Sequence, residues 1–132
     1  MLRMVFGFFL IAHALAHAGL AAAPIPDDPN TTPGAFFTNV NRSWLFLKIG
    51  LDSTVVRWIG ITLVAFSIIG FIIAGLGVLG VSVFNHIWRG MAGFSASTSL
   101  LLLILFWHPW LVVGVLINIG LWIMLFLNKV PA

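Results

Sequence analysis

The sequence contains no cysteine, no tyrosine and no glutamate, and little charge of either sign. Without cysteine the chain can form no disulfide, no thiolate metal site and no cysteine-held iron–sulfur cluster. Its three acidic residues, Asp27, Asp28 and Asp52, all lie between apolar segments. Those segments therefore lack the carboxylates that proton-coupled carriers commonly use. No glycine-rich phosphate-binding loop with lysine and no serine in a nucleophile-elbow setting is present either.

Apolar residues dominate what remains. They make up 61% of the 132 residues, and charged residues only 7%, against roughly 25% in a soluble domain. A soluble chain of this composition would expose large apolar patches and aggregate. The basic residues are scattered singly and form no nucleic-acid-binding patch: Arg3, Arg42, Lys48, Arg57, Arg89 and Lys129. We therefore predict a lipid bilayer as the partner, and no nucleic acid.

Four segments reach the roughly 20 apolar residues that a membrane-spanning helix needs. They lie at about 4–23, 55–78, 83–107 and 110–127. The last two connections are short, which makes the joined helices antiparallel neighbours. We therefore predict an all-α fold, a four-helix antiparallel bundle in the membrane, as a single domain over residues 1–132 with both termini on one side.

The first segment has two interpretations. Arg3 and the apolar run after it resemble the start of a signal peptide, and Ala21-Ala22-Ala23 fits a cleavage pattern. Two histidines are unusual in a segment that is to be removed, and Pro24 is a poor residue to follow a cut. We favour a retained helix, and a cleaved signal peptide stays open.

Residues 24–53 form the only sizeable predicted loop outside the bilayer, rich in proline and polar residues. Within it, residues 41–48 fit a short amphipathic helix with Asn41 or Ser43 as its cap. Asp52 or Ser53 could cap the second span. Aromatic and apolar anchors are expected at headgroup depth, and the predicted interfacial anchors are Trp44, Phe46 and Leu47.

Small residues follow one stripe of the second span, where they would let helix backbones approach closely. They are Gly60, Ser67, Gly70, Ala74 and Gly77. The third span carries a similar set around Gly90, Gly93 and Ser97. Ordinary packing within the bundle is the favoured interpretation, and an oligomer interface or a substrate path is the alternative.

His13 and His17 are the sharpest local feature, since residues four apart share one helix face. An imidazole pair could bind a metal or a haem iron. Zinc would need further ligands, and the other histidines, His86 and His108, lie at different depths from this pair. Two neutral imidazoles hydrogen-bonded across helices are the simpler interpretation. The sequence itself requires no cofactor.

Other polar side chains fall within or beside the spans. Arg89, by the boundaries above, lies one to two turns into the third span, where it could snorkel to the interface. Asn118 lies within the fourth span, and Ser95, Ser97, Thr98 or Ser99 is at a depth to hydrogen-bond it. The remaining candidates are His86, His108 and Arg57.

A catalytic group would have to be assembled from residues at the loop end of the bundle. With the termini inside, His17, His108, Arg57 and Asp52 all fall in the outer half of the membrane. No other polar convergence is available, so enzyme activity is left open and is not favoured.

The first segment resembles the first helix of DoxX-like proteins in Leu2-Arg3, Gly7 and Phe9-Leu10-Ile11-Ala12-His13. The stretch Leu102 to Trp110 is also similar to small bacterial membrane proteins of uncharacterised activity. This resemblance implies four helices in a bacterial inner membrane and, for some members, a link to quinol oxidation. Ala14 stands where that family often has glycine, and the acidic residue often seen in its second helix is missing.

Three functions follow as hypotheses. The first is a non-enzymatic accessory subunit or oligomeric scaffold, with its own copies or other membrane subunits as partners. The second is a small oligomeric transporter or channel lined by Asn118 and the serines of the third span. The third is a redox or metal-binding protein of quinone metabolism that uses His13 and His17. Arg3 and Lys129 flank the outermost spans, which favours cytoplasmic termini.

Overall fold

The computed structural model describes residues 1–25, 28 and 32–130. Every regular element in them is helical: α1 (Leu2–Ala22), α2 (Trp44–Lys48), α3 (Ser53–Val78), α4 (Trp88–Leu105) and α5 (Val112–Phe126), with 3-10 turns at Val40–Arg42, Ser82–Phe84 and Pro109–Leu111. α1, α3, α4 and the segment Pro109–Phe126 are long and apolar enough to cross a membrane. The prediction of an all-α bundle with four spans is confirmed.

The helix ends show that the four spans alternate in direction. Arg3, at the start of α1, donates to the Val78 carbonyl at the end of α3 and to Asn85 Oδ1 at 3.2 Å. Arg89, at the start of α4, donates to Asn128 Oδ1 beyond the end of α5 at 2.8 Å. These ends therefore lie together at one side of the bundle, which we call the terminus side. The opposite side, which holds α2, is the loop side.

The spans approach closely where glycines face a neighbour. α3 is the central helix, because it packs against both α1 and α4, while α5 packs against α4. A Cβ at Gly75 would lie 2.8 Å from the Gly7 carbonyl oxygen on α1, and one at Gly70 would overlap Ser95 Oγ on α4. The small residues predicted as a stripe on the second span are all buried, as packing inside the bundle requires.

Two apolar clusters fill the bundle. The terminus-side cluster is built around Phe6, Leu10, Phe71 and Trp88. The loop-side cluster is built around Phe36, Phe37, Phe46, Leu102, Phe106 and Leu111. Leu111, just before α5, and Leu121 on α5 belong to opposite clusters, and the buried Asn118 lies between them in the chain. Asn118 therefore lies near the level where one cluster gives way to the other, and Ile68 of α3 packs against both.

The segment that precedes α3 folds back onto the bundle. Phe36 and Phe37 are each 1% exposed, although the sequence places them in a polar loop. Ser43 caps α2 through the Phe46 backbone N–H, and Asp52 caps α3 through Thr54, as two of the proposed caps require. Among the acidic and proline residues of this loop, Asp27, Pro26 and Pro29 lie outside the described residues.

The three predicted interfacial anchors do not share one environment. Trp44 and Leu47 are exposed, and Trp44 Nε1 donates to the Ile104 carbonyl at 2.8 Å. Phe46 instead packs into the loop-side cluster against Phe106, with ring centroids 6.1 Å apart. α2 turns the Phe46 side chain toward the bundle, so of the three only Trp44 and Leu47 face outward. The position of these anchors at headgroup depth stays a prediction.

Candidate functional site

His13 and His17 lie on the buried face of α1, near the middle of the helix. They share that face with Phe6, Leu10 and Ala14 at the three- to four-residue spacing of a helical stripe. The imidazoles are 6% and 2% exposed. Phe71 of α3 packs edge-on against His13, with ring centroids 4.9 Å apart. Polar atoms in such surroundings are costly unless they are hydrogen-bonded.

Four residues from three helices close a ring of hydrogen bonds at this site. His13 Nε2 lies 3.3 Å from Oδ1 of Asn118 on α5. Asn118 Nδ2 lies 2.6 Å from Oγ of Ser99 on α4. That oxygen is also 2.6 Å from His17 Nε2, and His17 Nδ1 lies 3.1 Å from the His13 backbone oxygen. We call His13, His17, Ser99 and Asn118 the polar ring.

Each hydrogen bond of the polar ring can be assigned a donor and an acceptor. The His13 carbonyl can only accept, so His17 Nδ1 carries a hydrogen and the Nε2 of the neutral ring is an acceptor. The Ser99 hydroxyl therefore donates to His17 Nε2. The Asn118 amide nitrogen also donates to the Gly114 carbonyl at 2.9 Å, which fixes its orientation. Its Oδ1 then accepts from His13 Nε2, so the two neutral imidazoles are opposite tautomers.

This hydrogen bonding leaves few imidazole nitrogens available to coordinate a metal. A metal held by both histidines would have to take His13 Nδ1 and displace the Ser99 hydroxyl from His17 Nε2. In the described part of the chain, no three His, Cys, Asp or Glu side chains come together as possible metal ligands. His86 and His108 stand at opposite ends of α4, in keeping with the expected difference in depth. The geometry favours the interpretation of two imidazoles bonded across helices.

Asn118 has the partner type that the sequence predicted, and Ser99 is the residue that provides it. Ser95, Ser99 and Asn118 are fully buried. Ser95 Oγ has no hydrogen-bond partner, because it faces Gly70 across the α3–α4 contact. Full burial is the arrangement of a packed interior and not of a water-filled path.

Arg89 and His86 lie at the terminus-side end of α4. α4 begins at Trp88, so the expectation that Arg89 lies one to two turns into the span is wrong. Residues 82–87 form turns instead of helix. Arg89 is exposed, packs over the Trp88 ring at 5.4 Å and donates to Asn128. His86 is exposed in the same connection.

The loop-end residues proposed as a convergent set have separate places. His108 packs beside Phe36 and Trp110, and its Nδ1 accepts from the Trp110 backbone N–H at 3.2 Å. His17 belongs to the polar ring. The backbone N–H groups of Thr54 and Val55 donate to Asp52 and hold the pKa of its carboxyl below the usual value. Arg57 lines a cavity beside α3.

Sequence reasoning missed the contribution of the loop segment to this end of the bundle. Arg42 lies over the Phe36 ring at 5.4 Å, and its Nε and Nη2 atoms are buried without a hydrogen-bond partner. The adjacent phenylalanines 36 and 37 in a polar loop are the signal that could have indicated a segment packed against the spans.

Contacts within this chain thus form both the polar ring and the cavity that Arg57 lines. The resemblance of the first helix to DoxX-like proteins stays a prediction. No protein-family model, curated protein or solved structure matches this chain.

Proposed function

We propose that the chain is a non-enzymatic membrane protein, either an accessory subunit of a membrane complex or a small oligomeric scaffold. We place it in a bacterial inner membrane with cytoplasmic termini, since Arg3 lies in the first turn of the first span and Lys129 follows the last span. Its partners in this proposal are further copies of itself or other membrane subunits.

The closed polar ring is the observation that carries this proposal. Catalysis and solute transport need polar groups that converge on a substrate. In this bundle the polar ring joins α1, α4 and α5 through groups that bond to one another. Specific recognition is then left to the outer surface of the helices and to the loop side, as in a subunit that works by contact.

The two alternatives need the same interior residues to serve another purpose. A transporter path lined by Asn118 would have to open the ring and hydrate Ser99. A redox or metal site would have to take His17 away from Ser99. No described contact favours either change, so we rank both below the subunit function.

Native mass spectrometry of the tagged chain, released from its own membrane in polymer nanodiscs, tests the proposal. The expected particle contains other polypeptides in fixed ratio, or several copies of this chain. An untagged copy expressed beside the tagged one separates the two cases, because only a scaffold captures it. A single chain without other polypeptides would contradict the proposal.

A pair of serine variants distinguishes the transporter alternative. Ser99→Ala opens the polar ring, whereas Ser97→Ala changes an exposed serine on the same helix that bonds only to the Gly93 carbonyl. A subunit that works by surface contact keeps its assembly in both variants at temperatures where both stay folded. Solute flux in liposomes that Ser99→Ala abolishes and Ser97→Ala preserves would replace this proposal with the transporter.

A further inference from the structure

A cavity opens between the end of α1, residues 32–40 and the first half of α3. Its volume is about 820 Å³, within the roughly 300–1,000 Å³ typical of small-molecule sites. Ala21 lines it from α1, and Gly34 and Phe37 line it from the loop segment. Because that segment packs back through its phenylalanines, the cavity has a wall on the loop side of the membrane that the four spans alone would not provide.

The cavity lining changes from polar to apolar along one face of α3. Thr54 and Arg57 line its loop end, joined by Thr38 and Asn39 from the opposite wall. Farther along α3 the lining is apolar, with Ile61, Val64, Ala65 and Ile68. These residues recur every three or four positions, so they form one continuous stripe. From Arg57 to Ile68 the stripe runs about 16 Å at 1.5 Å per residue.

Arg57 gives the polar end a positive charge. No Asp or Glu is among the described residues that line this cavity. Within the described part of the chain, the Arg57 guanidinium has no hydrogen bond or ion pair. Asp52, the acid nearest to it along the chain, uses its carboxylate on the Thr54 and Val55 backbone amides. The available group is therefore a planar donor that suits a phosphate.

We infer that this cavity binds an anionic phospholipid of the surrounding bilayer. Its phosphate pairs with Arg57 beside Thr54, and one acyl chain lies along the stripe as far as Ile68. The apolar run distinguishes this ligand from a soluble phosphate, which would use only the loop end of the cavity. The inference goes beyond the proposed function and holds whether the chain is a subunit or acts alone.

Lipid retention in native mass spectrometry tests the inference with the full chain in mixed micelles. The probes are phosphatidylglycerol, which is anionic, phosphatidylcholine, which is zwitterionic, and inorganic phosphate. We expect one phosphatidylglycerol per chain to be retained about tenfold better than phosphatidylcholine. Both lipids carry the phosphate, but phosphatidylcholine adds a choline cation, which Arg57 repels and which no acidic residue of the described lining balances. Equal retention of both lipids, or displacement of the lipid by inorganic phosphate, would overturn it.

Two pairs of variants locate the bound lipid. Arg57→Gln should lower phosphatidylglycerol retention about tenfold, while Lys48→Gln, which removes another exposed loop-side cation, should leave it within about twofold. Ala65→Phe fills the cavity and should lower retention, while Ile69→Phe alters an exposed position of the same helix and should not. If either pair behaves alike in proteins of unchanged melting temperature, the inference is wrong.

Discussion

Ser99 holds the polar ring together with a single hydroxyl. The Asn118 amide donates to its oxygen, and its own hydrogen goes to His17 Nε2, with both distances at 2.6 Å. A hydroxyl is the smallest side-chain group that can accept on one side and donate on the other. Replacing it by a methyl group therefore leaves one donor and one acceptor unpaired in the interior.

We predict that Ser99→Ala lowers the free energy of unfolding by about 1–2 kcal/mol, since hydrogen bonds between membrane helices are worth up to about 1.7 kcal/mol and the orphaned partners stay buried. Ser97→Ala should change it by less than about 0.5 kcal/mol. Unfolding both variants with increasing dodecyl sulfate in mixed micelles measures the difference. Equal losses would mean that the ring is not a stabilising unit.

The residues of the ring could be predicted in part. The spacing of His13 and His17 gave their shared face, and the depth of Asn118 gave its partner helix. The sequence could not select Ser99 from the neighbouring serines, because that choice depends on how far α4 is rotated about its axis. Rotation is set by packing such as the Gly70–Ser95 contact, which a run of apolar residues does not encode.

At the scale of elements, the contact between α3 and α4 depends on the absence of a side chain at Gly70. A Cβ there would overlap Ser95 Oγ. We predict that Gly70→Ala destabilises the protein by about 1–3 kcal/mol, the usual cost of overpacking. Gly90→Ala, where nothing lies within 4 Å of the added atom, should be neutral or stabilising by up to about 1 kcal/mol.

Mixed-micelle unfolding of both glycine variants measures this contrast. A second substitution sharpens it, because Ser95→Ala removes the unpaired hydroxyl in contact with Gly70. That change should be neutral or stabilising on its own. A Gly70→Ala protein as stable as the Gly90→Ala protein would show that the two helices can separate without cost.

The start of α3 should respond to acid through its cap. Backbone hydrogen bonds from Thr54 and Val55 lower the pKa of Asp52 below its usual value of 3.8. The unfolded chain therefore takes up the proton first, so the stabilisation is full above 3.8 and is lost as pH falls through the lower pKa of the folded protein. Unfolding of wild type and Asp52→Asn measured from pH 6 to pH 2 should show this acid-dependent loss in wild type alone. A constant difference between the two proteins would contradict it.

The helix boundaries could not all be predicted from the sequence. Apolar length gave the four spans, but it also drew residues 83–87 into the third one, although they form turns. Apolar side chains such as Val83 and Ile87 are exposed there, and in a membrane protein hydropathy does not separate an apolar turn from an apolar helix.

At the scale of the whole molecule, the four alternating spans place α2 and the end of α5 at opposite sides. Lys48 and Lys129 are exposed at these two sides. Because the sequence has no cysteine, single cysteines can be introduced without background. With cytoplasmic termini, Lys48→Cys should react with a membrane-impermeant maleimide in intact cells, and Lys129→Cys only after lysis. The reverse pattern would invert the proposed orientation.

In the polar ring, each hydrogen bond has a fixed donor and a fixed acceptor, and this bears on proton transfer. A proton relay needs groups that take up a proton on one side and release one on the other. In the ring, the His13 carbonyl and Asn118 Oδ1 only accept, and Asn118 Nδ2 only donates. Reversing the ring would require a carbonyl to give up a hydrogen that it does not have. The polar ring thus holds two imidazoles inside the bundle without forming a path along which a proton could be passed from group to group.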